Sequence, residues 1–199
     1  MSDRQNDEFQ AFVFKNRGAL LTIPAALLAA FGKPSALSVT LGLPIALAGE
    51  LVRCWAVGYS GVTTRGDHVE APELISAGPY AHVRNPLYVG NFITAVGFAI
   101  AFTGKNSFAQ KLVLRAAALG VMAGVYATII PHEEQFLRKE FGAAFDRYCE
   151  EVPPLIPLAD PVAGGNGTWK PEVIRSAESK TFGSFAAMLA ILAFKGRKG

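Results

Sequence analysis

The sequence predicts an all-α fold, a polytopic integral membrane helical bundle, and three observations lead there. Just over half of the 199 residues are apolar (51%) and the mean hydropathy is positive, which is rich for an ordinary soluble domain. The apolar residues are clumped into four runs poor in charge, at 18–31, 36–59, 87–102 and 112–130. Two of these approach the roughly 20 residues that cross a bilayer. Short clusters of helix breakers separate them in pairs, which is the pattern of antiparallel helices joined by tight turns.

The first two runs are joined by Gly32-Lys33-Pro34-Ser35, giving a first helical hairpin. A polar connection spans residues 60–87. Within it Gly78-Pro79 marks a turn and Asn85-Pro86 a helix start, because proline suits the first helical position and drives its predecessor out of the α region. The third run therefore begins near Pro86, with Arg84 just outside its N-terminus. Gly104-Lys105-Asn106-Ser107 turns the chain into the fourth run and closes a second hairpin.

From Pro131 to Glu151 the composition becomes charged, yet Leu137, Phe141, Phe145 and Tyr148 recur at helical spacing. The expectation is a cytoplasmic amphipathic helix lying on the membrane or the bundle, stopped by Pro153, Pro154 and Pro157. Beyond the Gly-rich stretch 164–167, residues 170–194 form a candidate fifth membrane helix. The organisation is a cytoplasmic N-terminal segment (1–17), a membrane domain (18–158), and a linker with a C-terminal membrane-associated helix (159–199).

Orientation follows from lysine and arginine, whose bias sets topology. The N-terminal segment, the 60–87 connection and the 131–181 segment hold eleven of them, against three around the opposite turns. The polar clusters are thus expected on the cytoplasmic side. A spanning C-terminal helix would carry Lys195, Arg197 and Lys198 to the other side, so that helix is also compatible with an interfacial position.

Two cysteines, Cys54 and Cys149, do not make a disulfide framework or a metal site, and both read as reduced thiols. Acidic residues at Asp3, Asp7 and Glu8 argue for a retained first helix rather than a cleaved signal peptide. A net charge of +3 with no basic run interleaved with aromatics argues against nucleic acid. There is no glycine-rich strand-turn-helix unit of the dinucleotide type.

Two clusters carry chemistry: Gly78 to Gly90, which reads GPYAHVRNPLYVG, and His132-Glu133-Glu134. Arg84 offers a planar fork of donors beside a helix N-terminus, suited to a carboxylate. Glu133 and Glu134 offer acceptors. An alternative is that the two glutamates only favour a helix start after Pro131, with Glu134 pairing with Arg138 one turn on. By the same measure Arg84 is a topological anchor, His132 a cap or interfacial residue, and Tyr80 and Tyr88 belt aromatics. Glu50 and Arg53, inside the second run, are costly there. They read equally as an i, i+3 ion pair or as a wall of a cleft.

Gly78-Pro79-Tyr80, Arg84-Asn85-Pro86-Leu87-Tyr88-Val89-Gly90, Glu133-Glu134, Phe141-Gly142, Tyr148 and Pro153 together resemble the isoprenylcysteine carboxyl methyltransferase family, to which membrane phospholipid methyltransferases are related. The match covers roughly residues 45–157 and departs at Asn85, where the commoner pattern has histidine. The resemblance implies S-adenosylmethionine as cofactor, bound between cytoplasmic helix ends by Arg84, Asn85, Pro86, Tyr88, Gly90, His132, Glu133 and Glu134, with Arg84 and Glu133 serving catalysis. It also implies a lipophilic or prenylated acceptor arriving from membrane lipid. A membrane NADPH-dependent sterol or isoprenoid reductase and a noncatalytic scaffold are the alternatives; cofactor retention separates them.

Overall fold

The computed structural model describes residues 3–61 and 71–198, so the middle of the polar connection, residues 62–70, lies outside the described residues. Among the described residues seven α-helices follow in order: α1 Asp3–Phe31, α2 Ala36–Ser60, α3 Pro86–Phe102, α4 Phe108–Phe141, α5 Ala143–Glu151, α6 Ile174–Ala177 and α7 Ser179–Lys198. Among the described residues there is no strand. Helix α1 starts well ahead of its apolar run, because nothing between Gln5 and Gly18 breaks a helix.

The turns work as their residues dictate. Ser35 caps α2 by accepting from the Ser38 amide at 3.1 Å, while Ser38 Oγ accepts from the Ser35 amide at 2.9 Å. Ser107 and Gln110 repeat the reciprocal cap at the start of α4. The two turns at this end are stitched together: Lys105 N donates to Lys33 O, and the Asn106 side chain bridges the Lys33 amide and the Phe31 carbonyl.

Sequential helices are joined as hairpins, but the main packed pairs are different. Helix α2 packs chiefly on α3, and α1 on α4. The α2–α3 crossing is made by small residues: a side chain on Gly42 would run into Gly97 and Ala101, one on Gly49 into Gly90 and Thr94, and one on Gly97 into Ala46. Without a hydrophobic driving force between helices in lipid, such close backbone approach is what gives dispersion contact.

The space beside α1 and α2 is filled by α7, whose Phe185, Met188 and Leu192 join Leu28, Ala46, Phe98 and Phe102 in one cluster. Helix α7 runs from Glu178, which meets Arg53 near the end of α2, to Lys195, whose Nζ donates to the Ala30 and Gly32 carbonyls at the end of α1. It thus runs the length of the bundle, parallel to α1. Lys195, in its last turns, is placed against carbonyls left over by α1, a favourable site for a cation.

Among the described residues three helices are long and apolar enough to cross a membrane, the helix Pro86–Phe102 is a shorter apolar one, and large apolar side chains such as Phe12, Leu37, Leu51 and Leu112 are exposed on their outer faces. The protein is an integral membrane protein.

The end at which α2 and α4 finish is elaborated. Pro131 does not begin a helix there; it lies inside α4, which at 34 residues reaches about 50 Å and overshoots a bilayer core. The single amphipathic helix expected over 131–151 is therefore the tail of α4 plus α5, divided at Gly142, whose φ of +52° suits glycine. The expected apolar face survives the break: Phe145, Tyr148 and Val152 pack with Leu137, Phe141 and Leu74. Residues 153–170 then cross this end, Leu158 N and Val162 N donating to His82 O and Ala81 O, and Lys170 N to Gly58 O.

Candidate functional site

A cavity of about 770 Å³ opens where α1, α2, α3 and α4 meet the crossing segments and α7, a size usual for small-molecule sites. Its charged and aromatic end is lined by Tyr80, Arg84, Glu133, Glu134, Phe145 and Tyr148, its other end by Gly18, Leu21, Thr22 and Ala25 of α1. Between the two lie Tyr88, Asn91 and Tyr126.

Arg84 is positioned by its own backbone and by all three of its guanidinium nitrogens. The Arg84 amide donates to Pro153 O at 2.8 Å. Nε donates to Glu134 Oε1 at 2.9 Å, with Nη2 also 2.9 Å from that oxygen. Nη1 reaches the carbonyls of Val152 (2.6 Å) and Cys149 (3.1 Å), which the end of α5 leaves without helical partners. The side chain thus ties α3, α4 and α5 at one point and fixes the Glu134 carboxylate. Arg138 is not the partner of Glu134; it pairs with Asp146 at 2.8 Å on the exposed surface. Since α4 is continuous through Pro131, the reading of the glutamates as residues of a helix start is replaced by this one.

Asn85 and Pro86 also line the cavity. Asn85 stands at the N-cap with φ −121° and makes no side-chain cap, its Nδ2 donating instead to Pro154 O at 3.0 Å. Pro86 opens α3 as expected.

Glu133 is held by a different set. The Tyr88 hydroxyl donates to Glu133 Oε1 at 2.7 Å, and the Tyr88 ring lies 4.4 Å from that of Tyr126. The Tyr126 hydroxyl accepts from Asn91 Nδ2 at 2.7 Å, and Asn91 Oδ1 accepts from Arg53 Nη1 at 2.5 Å. Arg53 Nη2 then meets both carboxylate oxygens of Glu178, each at 2.8 Å. Arg53 lines the cavity, which favours the cleft-wall reading for that residue, while Glu50 is buried on the same helix.

Gly90 and His132 are not brought to the cavity wall. Gly90 faces α2, where an added Cβ would come 2.7 Å from Arg53 Cγ and 2.8 Å from Gly49 O, so its smallness serves the helix crossing. The His132 ring packs 5.8 Å from Phe14 of α1.

Several lining residues carried no signal of their own. Arg17, in the charged stretch before an apolar run, reads as a boundary, yet its guanidinium lies 4.0 Å over Phe14 on the cavity side of α1. Asn91 and Tyr126 could have been found as polar groups inside apolar runs. Glu178, which holds the lining residue Arg53 without itself lining the cavity, could not, since nothing local distinguishes it.

Electrostatically the polar end combines carboxylates (Glu133, Glu134), cations (Arg17, Arg84, Lys170) and phenols. Burial pushes the Tyr80 hydroxyl up to about 12, and burial likewise raises Tyr148. Both stay protonated at neutral pH, and the Tyr148 hydroxyl donates to Tyr80 O at 2.7 Å. Cys149, a free thiol like Cys54, is also raised, chiefly by burial. Among the described residues no group of three or more His, Cys, Asp or Glu side chains gathers as a metal site.

The family model described as phospholipid methyltransferase matches residues 37–144. A nickel-cobalt-cadmium resistance protein, NccN, of Alcaligenes xylosoxydans xylosoxydans is 30% identical over 117 residues, covering 59% of this chain and 47% of that protein. A probable protein-S-isoprenylcysteine O-methyltransferase of Oryza sativa subsp. indica is 29% identical over 124 residues, 60% of this chain and 61% of its own. A protein-S-isoprenylcysteine O-methyltransferase of Schizosaccharomyces pombe is 34% identical over 85 residues, 43% of this chain and 33% of its own. The chain therefore spans less than two thirds of the length of each of these relatives. No solved structure matches it.

Proposed function

The chain belongs to the phospholipid methyltransferase family, and from that premise we propose that it moves a methyl group from S-adenosylmethionine to a lipophilic acceptor at a membrane surface, in the manner of the isoprenylcysteine O-methyltransferases it resembles. One observation carries this reading: a single cavity joins a charged, aromatic end to an apolar end at helix depth. A water-soluble donor and a membrane-borne acceptor need those two environments within reach of each other.

The residues present suit the donor. Its adenine needs a flat apolar slot, supplied by Tyr80, Phe145, Tyr148 and Leu74; its hydroxyls and ammonium need acceptors, supplied by Glu133 and Glu134; its carboxylate needs cations, supplied by Arg84, Arg17 and Lys170. When bound, S-adenosylmethionine supplies an electrophilic methyl on a sulfonium. The protein's part is to hold and to dry. Arg84 fixes Glu134 and the end of α5 and keeps a positive charge in the wall. Tyr88 fixes Glu133 at the junction of the two environments, and the apolar end excludes water. A carboxylate acceptor is itself the nucleophile and needs only alignment. An amine acceptor must first lose a proton, for which Glu133 is the nearest carboxylate to the junction.

The test is incubation of detergent-purified protein with methyl-labelled S-adenosylmethionine and a panel of prenylcysteines, other lipid acids and lipid amines. The expected result is label in an organic-extractable product and thermal stabilisation by S-adenosylhomocysteine. Stabilisation by NADPH in its place would turn the reading to a reductase. Stabilisation by neither would leave a noncatalytic scaffold.

In the same reading this end of the bundle faces the cytoplasm, as the loop charge bias indicates. Cysteines introduced at Glu73 and Asp146 should both label from the cytoplasmic side of sealed cells or vesicles. Labelling from opposite sides would mean that these segments cannot share a site.

A further inference from the structure

We propose that the face of α1 carrying Gly18, Leu21, Thr22 and Ala25 receives the hydrocarbon chain of the acceptor, with Gly18 setting the width of the slot. This rests on the methyl-transfer reading for the acceptor's identity, though not for the slot itself. The four residues recur at three- and four-residue spacing, so they form one stripe about 10 Å long on the helix, and all four line the cavity. Arg17 and Phe14 lie at its polar end, next to the Tyr88–Glu133 pair. From there α1 runs towards the far end of the bundle, so Ala25 lies deeper than Gly18. A chain-bearing acceptor would therefore put its head at the charged junction and its tail along the stripe.

Gly18 is not explained by the fold. It sits inside a helix, where glycine lowers stability. A Cβ there would meet nothing within 4 Å, unlike Gly42, Gly49, Gly90 and Gly97, which helix packing requires. Gly120 and Gly124 are equally open, but they do not line the cavity. The other side of the slot is α7, where Thr181 and Ser184 line the same cavity. Gly18, Thr22 and Ser184 are exposed, so the slot opens sideways between α1 and α7 towards the bilayer. The occupant follows from that continuity: at this depth the surroundings are hydrocarbon, and the slot leads without interruption to the charged junction. Both helices lie outside the family-matched residues, which makes this wall a feature through which the chain sets its own acceptor preference.

The experiment has two arms. In the first, Gly18→Leu and Ala25→Leu are compared with the parent on thioether acids bearing geranyl, farnesyl or geranylgeranyl chains. Each extra bulk should act by depth: Gly18→Leu raises KM for all three, whereas Ala25→Leu lowers the geranylgeranyl-to-geranyl ratio of kcat/KM by about tenfold, a size usual for steric discrimination in apolar pockets. Stabilisation by S-adenosylhomocysteine should survive in both variants, which shows that they fold. An unchanged ratio with intact folding would overturn the proposal. In the second arm, a farnesyl thioether acid with a terminal diazirine is photolysed with the parent protein and the adduct is mapped by mass spectrometry. Adducts on α1 without methylation of any acceptor would sink the methyl-transfer reading and keep the slot. Methylation with adducts only on other helices would do the reverse.

Discussion

Removing the carboxylate of Glu178 should be among the most damaging single changes in this protein. Glu178 is fully buried, and it holds one nitrogen of Arg53 through both of its oxygens. Glu178→Ala would remove the bidentate carboxylate partner of the buried Arg53 charge. Breaking a buried pair from one side typically costs about 3–5 kcal/mol. Because Glu178 stands at the entrance to α7, the loss should also free that helix from α2. The expected result is a marked drop in the thermal midpoint in detergent, together with protease cleavage near residue 178 under conditions that spare the parent. The double change Arg53→Met with Glu178→Leu should recover much of the stability, since apolar groups of similar size often replace a buried pair without loss. A Glu178→Ala protein with parental midpoint and protease resistance would show that the pair does not anchor the C-terminal helix.

That pair also marks the boundary of what could be read from the sequence. Features decided within a few residues were legible: the breaker turns at 32–35 and 104–107, the start of α3 at Pro86, and the apolar face of Leu137, Phe141, Phe145 and Tyr148. Each follows from local backbone preference or from helical periodicity. Partner choice was not legible, because hydropathy is the same whichever helix a lipid-like face meets; the tight turns join the helices as the two expected hairpins, but the closest packing runs between them, α1 on α4 and α2 on α3. Pro131 misled for a related reason. In water it marks a helix start, whereas in a membrane bundle neighbouring groups satisfy the freed carbonyl and the helix continues.

At the candidate site, Arg84, Glu133 and Glu134 stood out only through two motifs whose separation in sequence matched a family pattern. Spacing alone paired Glu134 with Arg138, and α4 being continuous gives it to Arg84 instead. Gly90 belonged to the same motif for a packing reason, since the α2–α3 crossing and the path of Arg53 both need its missing side chain. Arg17 was hidden by its charge, which in a membrane protein is first explained as topology.

The contrast between Glu133 and Arg84 gives the sharpest test of the proposed cofactor site. In Glu133→Gln the amide oxygen can still accept from the Tyr88 hydroxyl, so the local shape persists and only the negative charge facing the cavity is lost. Stability without ligand should change by no more than about 1 kcal/mol, the net value of an ordinary hydrogen bond. The stabilisation by S-adenosylhomocysteine should nevertheless disappear. For the parent at a hundredfold excess over Kd that stabilisation is about 2.7 kcal/mol, large enough for its loss to be read directly from the thermal midpoint. Arg84→Lys should behave differently. A lysine presents one point of charge and cannot serve Glu134 together with the Cys149 and Val152 carbonyls. Losing a charge-assisted bond there should cost about 1.5–3 kcal/mol without ligand, and the ligand shift should fall as well because Glu134 is no longer fixed. The two variants thus separate binding from architecture. If Glu133→Gln retained the full ligand-induced shift, Glu133 would belong to the bundle's internal bonding with Tyr88 and not to a cofactor site.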